Sequence, residues 1–189
     1  MKKMIPMPIK PPSHKTLYPS DFLEEELQLS ASRPVIYLSL FAALLLNLVV
    51  SNHIALVVRP DFVALALLYW NIHQPRQSGM SLAFVSGIIM DVVNTSIMGQ
   101  HALVYCVITF FALLFYRQLR MFGIFRQIPA VLWILLLAQT LLLIIGTLTG
   151  TYSPDWRILL ASLSGALIWP FVAILLTSLR KLEIDPDEL

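Results

Sequence analysis

Charge is scarce in this chain. Charged residues make up 13% of its 189 residues, against 58% hydrophobic. A soluble domain carries about 25% charged residues. A chain this small must still cover its surface with polar groups if water is its solvent. The deficit therefore excludes an ordinary soluble globule and points to lipid around the outer surface. Cysteine is nearly absent. Cys106 is the single one, so no intrachain disulfide is possible, and its apolar surroundings suit a small buried hydrophobe. The seven glycines are scattered, which excludes a Gly-rich phosphate loop. His14, His53, His73 and His101 lack metalloprotease spacing, and no Ser, His and Asp fall into a recognisable nucleophilic pattern. The expectation is a protein that is not an enzyme, with no metal and no cofactor. The net charge is +2, and basic residues do not interleave with aromatics, so no nucleic-acid footprint appears.

What is present is a series of six apolar segments. They are Val35 to Asn52, Asp61 to His73, Met80 to Met98, His101 to Tyr116, Ile128 to Thr149 and Trp156 to Leu179. A span needs roughly twenty residues. The first, fifth and sixth meet that easily, and the second is short. Pro60 suits its first helical turn and Pro75 its end. The stretch Ile54 to Val58 before it is expected to return into the membrane or its interface. The fold class expected is all-α, a polytopic membrane bundle of six transmembrane helices, or five if the second region is re-entrant. Residues 1–33 form a Pro-rich cytoplasmic tail, expected to be largely disordered, with a capping-box pattern at Asp21 and Glu24. No signal peptide is expected, because prolines and Glu24, Glu25 and Glu26 follow Lys2 and Lys3. Residues 34–182 form the bundle and 183–189 a short cytoplasmic tail.

Basic residues set the orientation. With six spans and a cytoplasmic N-terminus, Lys2, Lys3, Lys10, Lys15, Arg33, Arg76, Arg117, Arg120, Arg126, Arg180 and Lys181 fall inside. Arg59 and Arg157 alone fall outside. Both termini are therefore placed in the cytoplasm, and the outer loops are too short to form a domain.

Polar residues within the spans carry the most information, because hydrocarbon offers them no partner. Asp91 is the one acid well inside a span. Ala83, Gly87 and Asp91 recur at i, i+4 and i+8, and Asn94 follows three residues on, all on one helix side. Small residues there let a neighbouring helix approach, so this side reads as a packing seam with a polar end. Counting helix rise, Asp91, Asn47 and Gln139 lie about 18, 20 and 15 Å from the inner ends of their helices. A shared hydrogen-bond network among them is one expectation. Pairing of Asp91 with Arg59 or His101 is another. Packing is favoured over a proton relay, which needs a chain of ionisable groups. The sixth segment has a second small face at Ala161 and Gly165, and Trp169 and Pro170 at mid-span predict a kink.

These residues, in order, resemble the MreD family of bacterial membrane proteins. The likeness rests on Arg59-Pro60-Asp61-Phe62, Tyr69-Trp70 and Pro75. It continues through Gly87, Asp91, the string Gly99-Gln100-His101-Ala102-Leu103 and Trp169-Pro170. It spans roughly residues 35–180. The resemblance implies a non-enzymatic inner-membrane scaffold of the cell-elongation machinery, needed for rod shape and organised peptidoglycan synthesis. The implied partners are MreC, a RodA-type glycosyltransferase, a class B penicillin-binding transpeptidase and, indirectly, MreB, with membrane lipid around all of them. The family is also similar in fold to the substrate-binding subunits of vitamin transporters, which makes a small-molecule-binding transport subunit the alternative. Brief, weakly polar outer loops favour the scaffold. The Arg59-Pro60-Asp61 corner and the Gly99 to Leu103 corner are candidate contact points, with capping and turn formation as the competing account.

Overall fold

The computed structural model describes residues 33–51, 59–94, 97–150 and 159–184, all within the compact unit Ala31–Leu189. The tail with Asp21 and Glu24, the stretch Ile54 to Val58, Arg157 and residues 185–189 lie outside the described residues. Among the described residues there are six helices and no strand. They are α1 (Arg33–Ser51), α2 (Phe62–His73), α3 (Met80–Val93), α4 (Gln100–Met121), α5 (Ile124–Leu148) and α6 (Leu160–Ile184). The fold is an all-α membrane helix bundle. α4, α5 and the Leu160–Arg180 part of α6 are long and apolar enough to cross a membrane, and α1, α2 and α3 are shorter apolar helices.

The shortness of α2 has a physical explanation. Every residue from Val63 to Ile72 is buried, so this helix is enclosed by protein on all sides. A helix that is hydrophobic all round belongs in a core. α2 packs against α1, α4 and α6, and it does not need to match the bilayer by itself. Its polar side chains find partners on those neighbours. Trp70 Nε1 donates to Ser39 Oγ of α1 at 2.8 Å, and the Tyr69 hydroxyl meets Thr177 Oγ1 of α6 at 2.9 Å. Asn71 Nδ2 donates to Thr109 Oγ1 of α4 at 3.3 Å.

Several boundaries differ from the sequence reading. Pro60 precedes α2 rather than forming its first turn, because Asp61 is the N-cap. α3 stops at Val93 rather than Met98, since the chain must turn at Gly99 (φ 99°) to enter α4. α4 runs to Met121, five residues past the expected Tyr116. α5 begins at Ile124 and passes through Pro129, and α6 continues unbroken through Pro170.

The small-residue seams lie between helices. A Cβ built on Gly87 would stand 2.2 Å from Ala102 Cα. The backbones of α3 and α4 are therefore in direct contact there, and Ala83 is buried one turn earlier. At Gly165 a Cβ would meet Leu135 Cδ1 of α5 at 2.9 Å, a side-chain contact, and Ala161 is buried one turn before it. Trp169 is fully buried, and its Nε1 donates to Gln127 Oε1 at 3.2 Å. Gln127 Nε2 donates to the carbonyls of Leu119 and Phe122, which closes the α4–α5 turn.

Candidate functional site

The polar groups concentrate where α1 ends, α2 begins, α3 ends and α4 begins. Asp61 organises the first half of this cluster. As the N-cap of α2, its Oδ1 accepts the Val63 and Ala64 amides, each at 3.1 Å. Capping by Asp satisfies donors that every helix start leaves open. The same carboxylate also takes two side-chain donors. Asn47 Nδ2 of α1 reaches Oδ1 at 2.9 Å, and the Tyr105 hydroxyl of α4 donates to Oδ2 at 2.7 Å. Asn47 Oδ1 in turn accepts the Phe62 amide at 3.0 Å, and its Nδ2 lies 3.9 Å from Met90 Sδ of α3. One carboxylate thus joins α1, α2 and α4, and Asn47 extends the contact to α3.

Asp91 organises the second half. It lies near the end of α3 but serves the start of α4. Its Oδ2 accepts the Gly99 amide and its Oδ1 the His101 amide, both at 2.8 Å. Gly99 has no side chain with which to cap α4, so a carboxylate borrowed from the preceding helix does so. A negative charge is stabilised at that position by the helix dipole. His101 Nδ1 also lies 2.8 Å from Asp91 Oδ1. A proton on Nδ1 completes that bond and leaves Nε2 facing Asn94 Nδ2 at 3.5 Å. The His101 and Tyr105 rings meet edge to face with centroids 6.0 Å apart, which connects the two halves. Asn47, Asp91, His101 and Tyr105 are all buried.

The structure thus brings Asn47 to Asp61, and Asp91 and Asn94 to His101. It does not join Asn47, Asp91 and Gln139 into one network. Asn47 bonds to Asp61, and Gln139 sits half-buried on α5 with no hydrogen bond to either Asn47 or Asp91. Gln100 Nε2 donates to the Leu142 carbonyl of α5 at 3.2 Å, while its Oε1 is buried without a partner. Arg59 is half-buried and forms no ion pair with Asp91; His101 takes that place. Tyr105 went unnoticed in the sequence. Its signal was there: it follows His101 by four residues and so shares its helix face.

Chemically, a carboxylate beside an imidazole can act as a base pair in catalysis. Here, however, both carboxylates are occupied as helix caps and inter-helix ties. Among the described residues, no group of three or more His, Cys, Asp or Glu side chains is arranged to hold a metal.

A relative from Haemophilus influenzae, "Rod shape-determining protein MreD", is 25% identical over 125 residues, covering 66% of this chain and 77% of its own. No solved structure matches, so the expected likeness to vitamin-transporter subunits gains no support. The family model described as rod shape-determining protein MreD matches residues 30–179, a stretch that holds all six helices but the last five residues of α6. The chain is thus a membrane protein that belongs to the MreD family of rod shape-determining proteins, with a role in cell shape.

Proposed function

We propose that the chain is a non-enzymatic scaffold of the cell-elongation complex in the bacterial inner membrane. It acts through lateral helix contacts with MreC, a RodA-type glycosyltransferase and a class B transpeptidase, with both termini in the cytoplasm. The observation that carries the reading is the engagement of both embedded carboxylates in holding helix ends together. The polar interior serves to fix the bundle, which leaves its apolar outer faces for partners. Large side chains such as Phe41 on α1, Phe84 on α3 and Phe171 on α6 point outward. The basic bias of the loops supports the orientation.

Arg59 supplies the test. Among the described residues its guanidinium makes no hydrogen bond or ion pair, although it borders the Asp61 corner. Arg59→Glu is expected to lower recovery of MreC with the purified chain roughly tenfold at equal expression, as for a lost charged contact. Depletion of the chain is expected to turn rods into spheres. Undiminished MreC recovery would remove this corner from the interface, and rod shape kept on depletion would sink the scaffold reading.

A further inference from the structure

The opposite end of the bundle carries a different set of polar groups. α2, α4 and α6 all run toward it. The Tyr69–Thr177 contact ties α2 to α6. One helical turn beyond it, His73 follows Tyr69 and Arg180 follows Thr177. The His73 ring stacks on Tyr69 at 4.2 Å, and its Nδ1 lies 2.9 Å from the Tyr69 carbonyl. Arg120 lies in the last turn of α4 and Arg180 near the end of α6. Asp61 and Asp91 cap helix starts at the other end, and Glu183 follows Arg180 by three residues on α6.

Two further observations concern this end. Arg180 Nε is buried with no hydrogen-bond partner, and Gln74, beside His73, is 6% exposed with neither amide atom partnered. A buried polar group left unpaired costs about 1–3 kcal/mol. Basic side chains commonly sit at helix C-termini to meet the dipole. That accounts for the charge of Arg120 and Arg180, but it supplies no acceptor for Arg180 Nε and nothing for Gln74.

We propose that Arg120, Arg180, His73 and Gln74 form a binding site for a phosphate group, supplied by the headgroup of an anionic phospholipid. A phosphate provides the acceptors that the guanidinium fork and the Gln74 amide lack. Basic pockets between membrane helices recognise headgroups in this way, and a headgroup here would bridge the ends of three helices. The site lies apart from the Asp61 and Asp91 cluster and does not depend on the scaffold reading.

The full chain, purified and reconstituted in phosphatidylcholine with or without phosphatidylglycerol, tests this. Native mass spectrometry reads retained lipid. The wild type is expected to retain phosphatidylglycerol, and the Arg120→Gln, Arg180→Gln double variant to retain roughly tenfold less. Gln74→Leu keeps both arginines and reads the same site should the double variant fail to fold. It is expected to raise Tm in phosphatidylcholine alone, where it removes an orphaned amide, and to lose that gain when phosphatidylglycerol is present. Equal lipid retention by wild type and double variant overturns the site, as does a Gln74→Leu gain that ignores lipid composition. A rise in wild-type Tm with inorganic phosphate in phosphatidylcholine, absent from the double variant, would overturn the lipid source in favour of free phosphate.

Discussion

Asp61 and Asp91 are each placed where a carboxylate answers a backbone need. Asp61 takes four donors, two from its own helix start and two from other helices. Asp61→Ala is expected to cost more than the 0.5–2 kcal/mol typical of a lost cap, because it also orphans Asn47 and Tyr105. Tyr105→Phe removes one of those four bonds and keeps the ring. Its expected cost is about 1 kcal/mol, within the range for interhelical bonds in membranes. Melting of the two variants in one detergent should show that order; a Tyr105→Phe loss equal to that of Asp61→Ala would contradict it. Asp91→Asn keeps an acceptor for His101 but turns an N–H toward the Gly99 amide. The clash of two donors should loosen the start of α4. Hydrogen exchange is the direct readout, and Gly99 to Leu103 should exchange faster than in the wild type while α5 does not change.

The elements differ in what their small residues do. At Gly87 the neighbour is backbone, at 2.2 Å from an added Cβ, and backbone cannot step aside. Gly87→Ala should therefore cost about 3 kcal/mol or more, the top of the overpacking range. At Gly165 the neighbour is the end of Leu135, which can rotate, so Gly165→Ala should cost about 1 kcal/mol. Tm measured for both variants checks the contrast, and equal losses would refute it. The i, i+4 pattern announced both seams in the sequence. It did not reveal that one rests on backbone and the other on a side chain, because spacing identifies a face and says nothing of what meets it.

Across the whole molecule, apolar character does not separate inside from outside. Trp169 is fully buried and bonded to Gln127, whereas Trp133 is 71% exposed on α5. Lipid lets both be tryptophan. Trp169→Ala should cost about 3–5 kcal/mol. Trp133→Ala should change Tm little, within about 0.5 kcal/mol, and any defect in cell shape at normal abundance would then point to a lost lateral contact. Scaffolding and stability would be separated by that pair of variants, scored for melting and for cell morphology.

Composition and apolar run length settled by themselves that this is a helical membrane bundle, because too few charges exist to cover a surface in water. The order of Arg59-Pro60-Asp61-Phe62, Gly87, Asp91 and Gly99 to Leu103 was enough to indicate the family. Only tertiary structure decided how the polar residues pair. Helix rise put Asn47, Asp91 and Gln139 at similar depths, but depth along separate helices carries no information on which faces meet. The fold turned Asn47 toward Asp61 and Asp91 toward His101. It also enclosed α2 completely, which a linear pattern cannot show, because burial by neighbours and burial in lipid call for the same apolar residues.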